Sequence, residues 1–287
     1  MSRFAFVNGA YLPFAEAGVH VEDRGFQFAD SIYEVCAVSD GEPRDMDGHL
    51  KRLERSLREL GQEMPMGQAA LNGHIRRMIA LNRIRNGIVY IQVTRGVARR
   101  DHPFPNPAPR PTVVMTARRI DAAKAAAMAV KGVAVKSMPD IRWGRCDIKT
   151  TALVANVLAK QEARTAGAYE AWLVDDEGFV TEGASSNAWI VDAAGVLTTR
   201  SLSPAILPGI TREAVLALAR ERQLPIAERP FTLAEAFAAR EAFMTSAGAF
   251  VMPVVRIDGQ PVGGGAPGPV ATALRADYIR SHVRQES

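Results

Sequence analysis

Lys149 is the residue of this 287-residue chain whose type and position most strongly indicate covalent chemistry. Only six of the 35 basic residues are lysines, so the chain uses arginine where it needs positive charge alone. Lys149 follows the apolar Ile148 and precedes a segment rich in small and apolar residues, 150–158. An amine that loses hydration there can attack a carbonyl group as a neutral nucleophile. A lysine at a helix start, with its amine in water, accounts for the same pattern.

Two other segments carry groups suited to anions. Gly209 precedes a predicted helix that begins at Ile210, and the first amides of a helix are unpaired donors that favour an anion. Thr211 adds a hydroxyl group to this segment. Arg100 and His102 lie two residues apart on a proline-rich loop, where two donors on one edge can hold a carboxylate. An ordinary helix start and an exposed basic loop are the alternative interpretations.

Glu182 belongs to a polar cluster, residues 181–187, that is enclosed between apolar segments. If this carboxylate is buried, it requires a cationic or N–H partner, because an unpaired buried charge is strongly unfavourable. The alternative interpretation is a solvated hairpin loop. His20, His49, His74 and His282 are predicted to have structural or surface roles.

Composition excludes several classes of protein. Apolar residues make up 47% and charged residues 23% of the chain, which is typical of a globular protein. No apolar run approaches the roughly 18 residues of a membrane span, and no secretory signal is expected. Cys36 and Cys146 are too few for a disulfide framework or a metal site, so a cytoplasmic location is expected. The net charge of +4 is spread among acids, which argues against nucleic acid as a partner.

The elements that position these residues follow from turn, cap and periodicity signals. Asn8-Gly9 between apolar runs predicts a hairpin. Leu50, Leu53, Leu57 and Leu60 predict one face of a helix capped by Asp47. Thr232 and Glu235 predict a capping box. Prolines at alternate positions between residues 103 and 111 predict a stiff, extended loop.

The mixture of antiparallel strands and one-sided helices predicts an α+β fold with two domains. The expected division is a small N-terminal domain at 1–118, a connector at 119–131, and a larger domain at 132–287 that carries Lys149.

Taken together, the motifs resemble the class IV aminotransferases, the pyridoxal 5'-phosphate (PLP) enzymes of fold type IV. The segments that carry the resemblance extend over nearly the whole chain in family order: 23–34, 49–53, 147–149, 180–183, 207–212 and 245–247. The resemblance implies a fold like that of D-amino-acid transaminases, with the cofactor at the domain interface. It also implies that Lys149 is the Schiff-base lysine, which moves a proton between the substrate Cα and the cofactor.

The resemblance further implies which residues bind PLP. Glu182 would bind the pyridine nitrogen, Leu207 would pack on the ring, and Arg52 would pair with the phosphate. The remaining phosphate contacts would come from Ile210, Thr211, Ser246 and the backbone of Ala247. Relatives often carry a second hydroxyl group where this chain has Ala247, so one hydrogen bond of roughly 1.5–3 kcal/mol is missing here.

The run 90–105 is similar to the D-amino-acid transaminase branch in particular. In that branch Tyr33, Arg100 and His102 would bind the substrate carboxylate, with the Arg and His coming from the neighbouring subunit of a homodimer. The implied reaction is transamination between a D-amino acid, such as D-alanine, and a 2-oxo acid, such as 2-oxoglutarate. Branched-chain aminotransferases usually have a tyrosine five residues after the lysine, where this chain has Val154.

Other functions remain compatible with the motifs. On the same scaffold the alternatives are a branched-chain aminotransferase, an amine transaminase and an aminodeoxychorismate lyase. A non-catalytic binding protein, such as a phosphate-ligand sensor, belongs to a different class. A hydrolase is disfavoured because the sequence has no Ser/His/Asp arrangement with supporting context.

Overall fold

The computed structural model describes residues 3–281, which form two compact α+β units. The first unit contains the described residues up to Ala122 together with Ile148–Leu153. The second unit contains Ala123–Asp147 and the described residues from Val154 onward.

The first unit is built on a six-stranded antiparallel sheet in the order β2-β1-β6-β5-β3-β4. Its strands are β1 Phe4–Val7, β2 Ala10–Pro13, β3 Ser31–Ser39, β4 Glu42–Pro43, β5 Gly87–Thr94 and β6 Thr112–Arg119. Its helices are α1 Arg24–Phe28, α2 Met46–Glu59 and α3 Gln68–Asn82. The predicted hairpin is confirmed, because Val7 pairs with Ala10 across Asn8 and Gly9, which have φ values of 50° and 99°.

The core of the first unit lies between this sheet and the helices α2 and α3. Leu50, Leu53 and Leu57 of α2 are buried in it, which confirms the predicted leucine face. The prediction that Asp47 caps this helix is wrong. The chain turns at Asp45, which has φ 53°, and the helix begins at Met46, so Asp47 lies within the first turn.

The segment Ile148–Leu153 belongs to the first unit, although the sequence-based division gives it to the larger domain. The Tyr33 N–H donates to the Lys149 carbonyl (3.0 Å), and the Thr151 N–H donates to the Ser31 carbonyl (3.2 Å). Ile148 is also buried in the first core. This backbone pairing with β3 explains the difference. The small and apolar residues after Lys149 predict a helix over about 151–166, but with residues up to 153 attached to the first unit the helix begins at Val154.

The second unit is built on a nine-stranded mixed sheet, in which β12-β11-β10-β13-β14-β7-β8-β9 are neighbours and β15 pairs with β14. The strands are β7 Val133–Pro139, β8 Glu170–Val174, β9 Val180–Gly183, β10 Asn187–Val191, β11 Leu197–Thr199, β12 Ile226–Glu228, β13 Glu241–Ser246, β14 Phe250–Ile257 and β15 Gln260–Pro261. Two of its antiparallel strands, β10 and β13, carry residues of the candidate site. The start of β10 lies beside the end of β13, with Asn187 opposite Thr245.

Five further helices lie within the described residues: α4 Ala122–Lys131, α5 Val154–Thr165, α6 Ile210–Glu221, α7 Leu233–Ala238 and α8 Pro269–Ser281. The capping box predicted at Thr232 and Glu235 is confirmed at the start of α7. The sequence predicts a last helix over roughly 269–283; α8 begins at Pro269, and the predicted end at Val283 lies outside the described residues. Within residues 3–281, no helix is long and apolar enough to cross a bilayer.

Candidate functional site

In the first unit, the Lys149 side chain lies against Tyr33. The Lys149 Nζ atom is 4.3 Å from the centroid of the tyrosine ring. Both side chains are half-buried, and the tyrosine ring also stacks on Tyr90 at 5.6 Å. The position of Lys149 is fixed by its backbone, since its carbonyl accepts from Tyr33 and its N–H donates to Ser56 Oγ (3.5 Å). The fold therefore brings together an amine and a phenol that lie far apart in sequence.

Arg52 is buried on α2, on a different side from the leucine face, and is held by Glu34 of β3. Its Nε donates to Glu34 Oε1 and its Nη2 donates to Glu34 Oε2, both at 2.7 Å. Burial alone raises the pKa of Glu34, but the charge and hydrogen bonds of Arg52 and His49 outweigh it and hold the pKa well below its usual range. This fork fixes the guanidinium plane of Arg52, as a phosphate-binding arginine requires.

His49 is a member of this cluster that the sequence did not assign to a site. Its Nδ1 lies 2.7 Å from Glu34 Oε2, and the ring is buried. Burial lowers the pKa of His49, but the neighbouring Cys36 and Glu34 raise it to about 10. His282 lies outside the described residues. The sequence signal for His49 was its spacing of three residues from Arg52, which puts both on one side of α2.

In the second unit, Glu182 is buried at the end of β9 and is surrounded by donors. Arg142 Nη1 donates to its Oε1, Asn187 Nδ2 donates to its Oε2 (3.0 Å), and the Leu207 N–H contacts both oxygens at 3.1–3.2 Å. The cluster 181–187 is therefore not a solvated loop, and the carboxylate has the cationic and N–H partners that its burial requires. Such a carboxylate can hold the protonated nitrogen of an aromatic ring.

Arg142 contacts Glu182 but is not among the site residues that the sequence predicts. It forms a fork on Asp140, with Nε to Oδ1 at 2.9 Å and Nη2 to Oδ2 at 2.7 Å. Burial alone lowers the pKa of Arg142, but Asp140 and Glu182 raise it well above its usual range. Arg142 is thus a permanent cation that links the buried carboxylate of Glu182 to the half-buried carboxylate of Asp140. The sequence signal was the Asp-x-Arg spacing, which the general excess of arginine concealed.

Asn187 connects Glu182 to the segment that precedes α6. Its Nδ2 also donates to the Leu207 carbonyl (3.0 Å). Gly209 lies so close to this amide that a Cβ atom there would overlap Asn187 Oδ1. Gly209 is the N-cap of α6, and no side chain caps this helix. Ile210 and buried Thr211 follow, so the helix dipole and the first amides of α6 offer an anion site.

Ser246 and Ala247 form the turn after β13, and both are half-buried. Ser246 Oγ accepts from the Ala249 N–H at 3.3 Å. Because Asn187 begins β10 beside the end of β13, this turn and the Glu182 cluster lie at the same end of the sheet. The structure therefore brings together the predicted residues Glu182, Leu207 and Ser246 within one unit.

Arg100 and His102 are exposed on the loop of the first unit between β5 and β6. Both lie near Phe28, whose ring centroid is 5.1 Å from Arg100 Cζ and 5.6 Å from the His102 ring. Among the described residues of this unit, neither contacts Tyr33 or Lys149. The structure thus does not assemble these two residues with Tyr33 within the unit.

Each donor set fits one group of PLP. In the first unit, the Lys149 amine suits an aldehyde and Arg52 suits a phosphate. In the second unit, the paired carboxylate of Glu182 suits a ring nitrogen and the start of α6 suits a phosphate. Among residues 3–281, the structure contains no group of three or more His, Cys, Asp or Glu side chains that could hold a metal ion.

Curated relatives cover almost the whole chain. The chain is 40% identical over 276 residues to the D-alanine aminotransferase of Bacillus licheniformis, with 95% of this chain and 96% of the relative covered. It is 38% identical over 281 residues to the D-alanine aminotransferase of Staphylococcus aureus strain MSSA476, with 96% and 98% covered.

Solved structures share the fold of this chain, and a family model matches most of its length. The branched-chain aminotransferase of Escherichia coli superposes with a TM-score of 0.89 at 24% identity, covering 98% of this chain and 94% of that one, and shows the fold alone. The T.th. branched-chain aminotransferase with pyridoxamine 5'-phosphate gives a TM-score of 0.88 at 29% identity with the same coverage. Residues 31–257 match the model for amino-transferase class IV. The chain belongs to the class IV aminotransferases, the family that its motifs predict.

Proposed function

We propose that this chain is a PLP-dependent transaminase that exchanges the amino group between a D-amino acid, such as D-alanine, and a 2-oxo acid, such as 2-oxoglutarate. The observation that carries the proposal is the contact between the Lys149 amine and the Tyr33 ring at 4.3 Å. It joins the proposed Schiff-base lysine to the tyrosine proposed to bind the substrate carboxylate. Curated relatives at 38–40% identity, named D-alanine aminotransferases, support the D-amino-acid substrate.

Lys149 has two tasks in this proposal. Its Nζ atom would hold the cofactor through the aldehyde group, and the same amine, when free, would move a proton. Bound PLP supplies a ring that withdraws electrons from the substrate Cα. The free Lys149 amine would take the proton from the substrate Cα and carry it to the cofactor. Because the lysine approaches from one side only, the orientation of the substrate decides which enantiomer reacts.

Glu182 keeps the ring nitrogen protonated. The Arg142 cation beside it favours the ionised carboxylate, so the shared proton stays on the ring nitrogen rather than moving to Glu182. Leu207 packs on the ring, and its own N–H orients the glutamate. The proposed phosphate ligands are Arg52, the amides of Ile210 and Thr211, the Ser246 hydroxyl and the backbone of Ala247.

The substrate carboxylate is bound by Tyr33 together with Arg100 and His102. We propose that these last two come from the partner subunit of a homodimer. Their exposure on a proline-rich loop, away from Tyr33 of their own unit, supports this arrangement. Sedimentation of the holoenzyme tests it, since the chain mass is 31.0 kDa and a monomer at working concentrations contradicts the proposal. A cytoplasmic location, consistent with the free cysteines Cys36 and Cys146, belongs to the same proposal.

The decisive experiment compares Lys149→Ala with Lys51→Ala, a control on the exposed side of α2. The wild type and Lys51→Ala should be yellow with bound PLP, and D-alanine should bleach the colour. Lys149→Ala should lose both the colour and the activity. A Lys149→Ala protein that still transaminates D-alanine contradicts the proposal.

A branched-chain L-amino-acid aminotransferase is the second candidate, because a solved neighbour at 29% identity is named a branched-chain amino acid aminotransferase. Val154 at the position of the usual tyrosine argues against it. Turnover of L-leucine without turnover of D-alanine would favour this candidate.

A third candidate is the amine transaminase, and it is distinguished from the proposed function by the variant Arg100→Ala. It should raise the KM of carboxylate substrates and leave amines without a carboxylate unaffected.

A further inference from the structure

The loop that carries Arg100 and His102 is attached to the first unit through its own backbone. Arg24 Nη1 donates to the Asp101 carbonyl (2.6 Å), and Arg24 Nη2 donates to the His102 carbonyl (3.2 Å). These two carbonyls lie directly beside the side chains proposed to bind the substrate carboxylate. The loop has no regular helix or strand, so hydrogen bonds from outside it determine its position.

Arg24 itself is held by the half-buried carboxylate of Asp30. The side chain of Arg24 is 4% exposed, and its third nitrogen, Nε, donates to Asp30 Oδ2 at 2.8 Å. The same oxygen accepts from Arg95 Nε at 2.6 Å. Asp30 therefore pairs with two buried guanidinium groups, and each nitrogen of Arg24 has a partner. This arrangement leaves Arg24 one orientation, with Nη1 and Nη2 directed at the loop.

Arg95 attaches the loop at a second point. Its guanidinium carbon lies 3.6 Å from the ring centroid of Phe104, and its Nη2 donates to the Leu60 carbonyl at 2.7 Å. Phe28 packs on the inner side of the same loop, with Arg24 Cζ 4.8 Å from its ring. The loop is thus held at residues 101, 102 and 104 by two arginine side chains that both pair with Asp30.

We propose that Arg24, oriented by Asp30, is a positioning residue that sets substrate specificity by fixing the backbone beside Arg100 and His102. This inference rests on the proposed function, in which those two side chains bind the carboxylate. Without Arg24 the loop samples more conformations, and each substrate must order it again on binding. The effect therefore falls on the KM of substrates that carry a carboxylate, whereas kcat and PLP binding change little.

The test is a thermodynamic cycle between Arg24→Lys and the double variant Arg100→Ala/His102→Ala. Lysine keeps the positive charge beside Asp30, so the fold is retained, but it cannot reach Asp30 and both carbonyls at once. Arg24→Lys should raise the KM of D-alanine and of 2-oxoglutarate about tenfold, within the range for lost charged hydrogen bonds. In the background without Arg100 and His102 it should have no further effect on KM. Equal effects in both backgrounds overturn the inference.

Hydrogen exchange of the holoenzyme separates this inference from the proposed function. Arg24→Lys should accelerate amide exchange in residues 97–104 and leave α2 unchanged, whatever the substrate. Gln62→Ala is the matched control, because Gln62 contacts the other oxygen of Asp30, at 3.3 Å. Unchanged exchange in the loop overturns the positioning role. A different outcome is faster loop exchange in Arg24→Lys together with an unaltered KM in Arg100→Ala/His102→Ala. That outcome contradicts the proposed carboxylate site, and with it the role of Arg24 in specificity.

Discussion

Glu34 and Arg52 meet through two parallel hydrogen bonds of 2.7 Å, and both side chains are buried in the first unit. The guanidinium approaches the carboxylate edge-on, which is the strongest geometry for this pair. His49 contacts the same carboxylate, so one negative charge faces two cationic groups. The orientation of a proposed phosphate ligand thus depends on an acid that has no assigned contact with the cofactor.

Replacing Glu34 by Gln should strongly destabilise the protein. The substitution leaves Arg52 and His49 buried without this counter-charge, and breaking a buried pair in this way costs about 3–5 kcal/mol. Urea unfolding monitored by circular dichroism measures the change in the free energy of unfolding. The control is Glu54→Gln on the exposed side of α2, which should change it by less than about 0.5 kcal/mol. Equal stabilities of the two variants would contradict the role of Glu34.

The buried cluster of Glu34, His49 and Arg52 should also make the stability of the protein depend on pH. The pKa of His49 rises from 6.5 to about 10 on folding, so its contribution is complete below pH 6.5 and disappears as pH rises towards 10. The pKa of Glu34 falls on folding, so its contribution is present above pH 4.5 and decreases as pH falls below that value. Stability from this cluster is therefore greatest between about pH 4.5 and 6.5.

His49→Asn tests the alkaline half of this prediction. The wild type should lose stability on the order of a few kcal/mol between pH 7 and pH 10, since each unit of pKa shift corresponds to about 1.4 kcal/mol. The variant should lose markedly less over the same interval. His20→Asn, which changes an exposed histidine, should keep the wild-type profile. Parallel profiles for the wild type and His49→Asn would show that His49 is not charged in the folded protein.

Arg142→Met should weaken PLP binding by about tenfold or more, because Glu182 loses a buried cationic partner that favours its ionised form. The fluorescence of bound PLP, titrated at equilibrium, measures this affinity. Since the change also removes the fork on Asp140, Asp140→Asn/Arg142→Met should restore stability without restoring affinity.

Arg145→Met is the control for Arg142→Met. Arg145 pairs with an aspartate at the same spacing, Asp147, but is half-buried. Similar losses in Arg145→Met and Arg142→Met would contradict a specific role for Arg142.

Gly209→Ala should lower both stability and PLP affinity. The new methyl group would overlap the Asn187 amide, which holds Glu182 Oε2 and the Leu207 carbonyl. Overpacking of this kind typically costs about 1–3 kcal/mol, which thermal unfolding can detect. Gly67→Ala is the matched control, because Gly67 is also a helix N-cap and a Cβ atom there meets nothing within 4 Å. A fully stable Gly209→Ala protein would show that the Asn187 amide can move without cost.

The sequence by itself determined the family and the local structure. The motifs of class IV aminotransferases, the α+β composition, the Asn8-Gly9 hairpin and the Thr232–Glu235 capping box are all confirmed. The hairpin, the capping box and each separate motif depend on residues within a few positions of one another, so a pattern in the chain is sufficient to reveal them. The assigned roles of individual site residues remain predictions, as does the homodimer.

Only the tertiary structure decided which side chains support those residues. Arg142 and Glu182 are 40 positions apart, and Glu34 and Arg52 are 18 apart. The segment of Lys149 joins the first unit because its backbone pairs with β3, and Asp47 fails as a cap because the chain turns at Asp45. Such contacts depend on how strands and helices pack, and periodicity and spacing do not encode them. A buried charge needs a partner, but its identity follows from proximity in the fold.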